Sequence, residues 1–169
     1  DKRIGSLINE GNWFELEEEV KVVPTDSISP FILELATAMT HHYFNRPDSA
    51  CAVISDLLSN YQQELGGQTM NMVILLSINL ARTGQYNEAA GIMQDLCDQL
   101  SSLGMDSTQI APYRAQVQQY RVLATCSNLY QPLHKAGEYR IPMIIGDKNG
   151  QHSIEMDGSI NGKEGRFLF

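Results

Sequence analysis

The sequence has few basic residues, and these residues are not clustered. Residues 1–134 carry 7 basic and 15 acidic side chains, whereas residues 135–169 carry 5 of each, so the net charge of -8 belongs to the first part. Because no basic stripe is available to neutralise phosphates, nucleic acid is excluded as an expected partner. No apolar run is long enough to cross a bilayer, so no membrane span is expected. The change in charge balance near Lys135 predicts one domain over residues 1–134 and another over residues 138–169.

The sequence also lacks any paired cysteine motif. Cys51, Cys97 and Cys126 are far apart, and each lies among apolar neighbours in a predicted helix. This pattern favours the interpretation that all three cysteines are small buried apolar side chains. The alternative is that two of them form a disulfide and the third remains a free thiol. The chain begins at Asp1 without a methionine, which fits a removed signal peptide as well as a trimmed chain. A secreted or periplasmic location is slightly favoured.

The common catalytic and metal-binding motifs are absent. There is no G-x-S-x-G elbow and no glycine-rich phosphate loop. His41 and His42 are neighbours on a predicted helix, so their side chains diverge and cannot hold one metal from one face. Together with His134 and His152, they are interpreted as surface or loop histidines. An acidic run is interpreted as a solvated face rather than a metal site: Glu15, Glu17, Glu18 and Glu19. No catalytic residue, metal or cofactor is expected in this chain.

Helical periodicity dominates the first 134 residues. The stretch from Met70 to Leu100 predicts two helices joined by a turn at Gly84, because each half carries one apolar stripe at helical spacing. The stripes are Val73, Leu76 and Leu80 on the first helix, and Ala89, Met93, Leu96 and Leu100 on the second. Further helices are predicted at Lys2–Glu10, Trp13–Val22, Phe31–Phe44, Ser49–Tyr61 and from about Ile110 to Leu129, the last with Pro112 in its first turn.

The turns between these helices recur at a regular interval. Gly11 and Asn45 are 34 residues apart, and Asn45 and Gly84 are 39 apart. A period in the mid-thirties is typical of stacked helical hairpins. The segment from Gly84 to Ala89 carries G-x-Y-x-x-A, and with it residues 1–103 resemble the tetratricopeptide family. The predicted fold class is therefore mostly α, an α-α superhelix of helical hairpins with a short C-terminal β appendage.

The tetratricopeptide resemblance implies a peptide-binding groove lined by the first helix of each pair. The matching positions are Leu35, Met39, Ile74 and Ile78, which we call the groove set. All four residues are apolar. The set contains neither Lys nor Asn, the residues that bind a C-terminal carboxylate in some members of that family. The expected occupant is a protein or peptide, or the chain's own closing helix or a further domain, and the oligomeric state is left open.

After Leu133 the periodicity changes to that of β-structure. Tyr139–Ile145 predicts a strand, and residues 147–150 a turn. Apolar residues then alternate from Ile154 to Ile160, which predicts a second strand. Residues 161–165 begin with Asn-Gly and predict a second turn, and residues 166–169 predict a last strand. So small a sheet buries too little apolar area to fold alone, so we expect it to be part of a larger β domain.

Residues 154–169 are similar to the opening hairpin of retropepsin-like aspartic peptidases. In that family a strand, an Asn-Gly turn and a second strand lead into Asp-Thr-Gly or Asp-Ser-Gly. The resemblance implies a catalytic Asp just beyond Phe169, and this chain contains neither triplet. The chain alone is therefore not expected to be an enzyme. The leading hypothesis is a non-catalytic helical region of an aspartic endopeptidase, which positions or shields the catalytic domain or recruits peptide substrate. The alternative is a tetratricopeptide-like interaction adaptor without enzymatic activity.

Overall fold

A computed structural model describes residues 2–24, 27–126, 142–148, 151–160 and 162–168. The chain is mostly helical and ends in a small antiparallel sheet. It divides into two compact units, Asp1–Leu129 and Tyr130–Phe169. The helices are α1 (Lys2–Glu10), α2 (Trp13–Val22), α3 (Pro30–Tyr43), α4 (Pro47–Asn60), α5 (Gln62–Leu65), α6 (Thr69–Arg82), α7 (Tyr86–Ser102) and α8 (Ser107–Thr125).

Neighbouring helices of the first unit pack in chain order. Contacts join α1 to α2, α2 to α3, α3 to α4, α4 to α6, α6 to α7 and α7 to α8. The turns at Gly11, Asn45 and Gly84 each hold a residue with positive φ (69°, 53° and 83°), which directs the chain from one helix into the next. The predicted helices α1 and α2 are confirmed with their bounds.

Two apolar clusters hold the helices together. The smaller one joins α1, α2 and the start of α3 around Ile4, Leu7 and Leu16. The larger one joins α3, α4, α6, α7 and α8. The predicted stripe of α7 is confirmed, since Ala89, Met93, Leu96 and Leu100 are all buried. On α6, Leu76 and Leu80 are buried and Val73 is half-buried.

Helix α8 begins earlier than the sequence pattern predicts. Asp106 accepts a hydrogen bond from the backbone nitrogen of Thr108 at 2.7 Å, and Gln109 Oε1 accepts one from the Asp106 backbone nitrogen at 3.3 Å, which closes a capping box. The helix therefore starts at Ser107, and Pro112 lies inside it. The prediction that Pro112 occupies the first turn is wrong. The predicted end at Leu129 lies outside the described residues.

The C-terminal sheet has the strand order β1-β2-β3, with β1 at Ile144–Lys148, β2 at Gln151–Ile160 and β3 at Lys163–Leu168. Lys148 pairs with Gln151, so Asp147 and Lys148 belong to the strand and not to the predicted turn. Ile160 pairs with Lys163, which leaves only residues 161 and 162 for the second turn. The prediction of a turn through Gly165 was therefore too long. Residues 139–141, 149–150, 161 and 169, which enter the predicted strands and turns, lie outside the described residues.

One aromatic ring covers a pair of glycines in this sheet. Gly158 and Gly165 lie opposite each other, and a Cβ atom placed on Gly158 would come within 3.2 Å of the Phe167 ring. The Phe167 ring thus occupies the space that two side chains would fill. It covers the strand backbone at two glycines that have no side chain of their own.

Candidate functional site

The groove set lies on two helices of the first unit. Leu35 and Met39 belong to α3, and Ile74 and Ile78 to α6; all four side chains are half-buried. Leu35, Met39 and Ile74 also pack against the larger core. The structure therefore gives these residues a packing role, and a peptide-binding role stays a prediction.

Polar side chains join the C-terminal ends of α3 and α6. Arg82 donates a hydrogen bond to the His42 carbonyl oxygen at 2.9 Å, and Asn79 Nδ2 lies 3.0 Å from His42 Nδ1. The same Asn79 amide donates to the Leu75 carbonyl at 2.8 Å. We call His42, Asn79 and Arg82 the polar junction. Its hydrogen bonds fix the two helix ends relative to each other.

The polar junction is largely removed from solvent. Asn79 is fully buried, and His42 is 9% exposed. Burial and the Arg82 guanidinium lower the pKa of His42 from its usual value of 6.5, while the hydrogen bond with Asn79 acts in the opposite direction. The surroundings of His42 therefore favour its neutral form, and its interpretation as a surface histidine is wrong because the side chain is buried.

His41 lies in the same turn but in different surroundings. Its side chain is half-buried, and its Nδ1 atom is buried without a hydrogen-bond partner among the described residues. Burial and Arg46 lower the pKa of His41, whereas Glu17 tends to raise it. The carboxylate of Glu17 accepts a hydrogen bond from Arg46 at 2.6 Å. Ion pairing with Arg46 also lowers the pKa of Glu17.

Aromatic rings cover the contact between α2 and the end of α3. Trp13 and Tyr43 stack with ring centroids 3.9 Å apart, and Phe14 meets Phe44 edge-on at 5.2 Å. His42 is edge-on to Tyr43 at 5.0 Å. Phe14 is 78% exposed and Tyr43 is 50% exposed, so this aromatic cluster reaches the surface.

Among the described residues, no three His, Cys, Asp or Glu side chains come together to hold a metal ion. Asp157 is paired with Arg166 at 3.0 Å in the middle of the β2–β3 hairpin, and Glu155 lies 3.7 Å from the same guanidinium, so both carboxylates are engaged with one arginine. No described helix has the length and apolarity needed to span a bilayer.

The comparisons with known proteins give no family. No protein-family model, curated protein or solved structure matches the chain. The functional interpretation depends on the chain's own residues.

The three cysteines differ in exposure. Cys97 is buried and Cys51 is half-buried, and each is a free thiol whose pKa burial raises. Cys126, at the C-terminal cap of α8, is an exposed free thiol. The interpretation as small buried side chains is therefore wrong for Cys126, since the helix ends one residue before it.

The polar junction was missed from the sequence. One signal was available: Ser77 and Asn79 interrupt the apolar run of α6, and a polar residue on the buried side of a helix needs a partner. The partner itself could not be found, because His42 is 37 residues away.

Proposed function

We propose that this chain is the non-catalytic helical region of a retropepsin-like aspartic peptidase. In this proposal the helical hairpins form a tetratricopeptide-like superhelix that positions or shields the catalytic domain or recruits its peptide substrate. The observation that carries the proposal is the β2–β3 hairpin. Its strands pair as far as Ile160 and Lys163, and Gly162 has a φ of 76°. A short connection between these two strands is what the peptidase resemblance requires.

The chemistry of such an enzyme needs two carboxylates that share one proton about a water molecule. One acts as base while the other acts as acid, and their proximity keeps the pair singly protonated. Asp157 cannot serve, because it lies inside β2 and pairs with Arg166. The catalytic carboxylates are therefore proposed to come from sequence that follows β3.

The coding sequence downstream of Phe169 tests this proposal. We expect Asp-Thr-Gly or Asp-Ser-Gly within the next few codons, and we expect the longer protein to cleave peptides at acidic pH. Changing that Asp to Asn should abolish cleavage, because the carboxylate pair is lost. A downstream sequence without either triplet contradicts the peptidase proposal, and the adaptor hypothesis would replace it.

A role in substrate recruitment makes a second prediction for the longer protein. Ile78→Lys should lower kcat/KM for protein substrates roughly tenfold, as expected for the loss of one apolar side-chain contact, and leave short-peptide cleavage unchanged. Leu103→Lys is the matched control, because Leu103 is 82% exposed at the end of α7. Equal effects of Ile78→Lys on long and short substrates would argue against a groove.

A further inference from the structure

The last turn of α3 places two adjacent histidines in two different helix contacts. His42 contacts Asn79 and Arg82 of α6. His41 lies close enough to Glu17 of α2 and to Arg46, at the start of α4, for their charges to act on it. A change of charge in this single turn therefore acts on both sides of α3.

His42 Nδ1 faces both atoms of the Asn79 amide and the Arg82 guanidinium. Asn79 Nδ2 lies 3.0 Å away, Asn79 Oδ1 lies 3.4 Å away, and the guanidinium lies 3.4 Å away. Asn79 is held in this orientation, since its amide nitrogen also donates to the Leu75 carbonyl. Asn79 Oδ1 can accept from a protonated Nδ1, but the positive charge of the imidazolium would lie beside the Arg82 guanidinium in a buried site. Protonation of His42 therefore opposes the contact between Arg82 and the end of α3.

Protonation of His41 is also unfavourable in this structure. Its Nδ1 is buried without a hydrogen-bond partner among the described residues, so a proton there would find no acceptor. Arg46 adds positive charge nearby, and its guanidinium is committed to Glu17 and to the face of Phe44, 5.6 Å from the ring centroid. Protonation of His41 therefore leaves a buried N–H group unpaired next to the charge of Arg46, which favours movement of the turn.

The neighbouring aromatic rings connect this turn to a reporter group. Tyr43 follows His42, meets it edge-on, and stacks on Trp13. Trp13 is the only tryptophan of the chain. Movement of the α3 end changes the environment of this one indole ring.

We propose that the last turn of α3 is an acid-sensitive latch, in which protonation of His41 and His42 releases the end of α3 from α2 and α6. The latch is closed at neutral pH, where both imidazoles are uncharged. Opening separates Tyr43 from Trp13 and breaks the polar junction. This inference does not depend on the proposed function.

The charged groups around the turn act in both directions. Arg82 and Arg46 oppose protonation, whereas Glu17 and the negative end of the α3 dipole favour it. Burial adds to the opposition, and the folded-state pKa of each histidine is lowered from 6.5. The unfolded or opened state therefore binds protons first. The stabilisation by the neutral histidines is complete above the unfolded pKa, and it is lost as the pH falls below 6.5 toward the folded values.

Trp13 fluorescence of the whole chain tests the latch. Between about pH 8 and about pH 5 we expect a reversible change in Trp13 emission with a midpoint below the ordinary histidine pKa. The double variant His41→Gln/His42→Asn removes both titrating groups and should give a flat profile. The variant His134→Gln/His152→Gln is the control, because it leaves α3 intact and should retain the transition.

Two results would overturn the latch. One is a fluorescence profile that is flat in the unchanged protein or that persists fully in the His41→Gln/His42→Asn variant. The other comes from proton NMR of the unchanged protein, which needs no folded variant: titration of both imidazole signals at or above the ordinary histidine pKa would show that neither ring resists protonation.

Discussion

Replacing Leu57 by alanine is expected to lower the free energy of unfolding of the helical unit by about 2–5 kcal/mol. Leu57 lies on α4 and is 0% exposed in the larger core. Helix α4 packs against both α3 and α6, and the cavity opens in the core cluster that these helices share. Close packing on several sides limits how far the neighbours can relax into the space. Urea denaturation followed by far-UV circular dichroism measures the loss.

The matched control is the same substitution at Leu103. That side chain is 82% exposed at the C-terminal cap of α7, so its truncation removes almost no buried area. We expect its effect to stay within about 0.5 kcal/mol of zero. Equal losses for Leu57→Ala and Leu103→Ala would contradict the division between core and surface in this structure.

The helices were predictable because their apolar residues recur at a period that one face of a helix must satisfy. This held for α7, where the stripe from Ala89 to Leu100 is buried. It also held for α1 and α2, whose turn is fixed by Gly11 with its positive φ. These signals are local, so a single sequence carries them.

The start of α8 was misplaced because one local signal outweighed another. Pro112 is best tolerated in a first turn, which drew the predicted start to about Ile110. The capping pair Asp106 and Gln109 has the spacing of a helix N-terminus, and it sets the start at Ser107. The hydrogen bonds of the cap therefore decide the boundary, and the helix accommodates the proline.

The alternation of apolar and polar residues predicted the strands of the sheet but not the extent of its turns. Alternation from Ile154 to Ile160 gave β2, but the turn after it was drawn too long, because Gly165 looked like a turn residue. In the structure Gly165 pairs with Gly158, and the Phe167 ring lies close to both glycines. A glycine that serves a cross-strand contact cannot be told from a turn glycine without the register of the strands.

The candidate site, too, could be predicted from the sequence only in part. The groove set was named from the tetratricopeptide resemblance; its residues lie on α3 and α6, and their peptide-binding role stays a prediction. The burial of His42 could not, because it depends on Asn79, 37 residues later in the chain. Adjacent histidines in a helix look equally exposed in a sequence. Only the contacts of His42 with Asn79 and Arg82 of α6 distinguish the two histidines.

Asn79→Ala is expected to lower the free energy of unfolding by about 2 kcal/mol, because it leaves the buried His42 Nδ1 without its amide partner. Alanine is the better helix former, which offsets part of the loss. The hydrogen bond with Asn79 raises the pKa of His42, so its removal should lower that pKa further and extend the acid loss of stability to lower pH. Urea denaturation at several pH values measures both effects.

Asn71→Ala is the control for this prediction, since Asn71 is an exposed asparagine on the same helix, bonded only to Gln68 among the described contacts. It should change stability by less than about 0.5 kcal/mol and leave the pH dependence unaltered. A polar junction that merely fills space would give a different pattern: Asn79→Ala would destabilise the protein by the same amount at every pH. A shift of the pH profile in Asn79→Ala alone is the result that ties this buried amide to the charge state of His42.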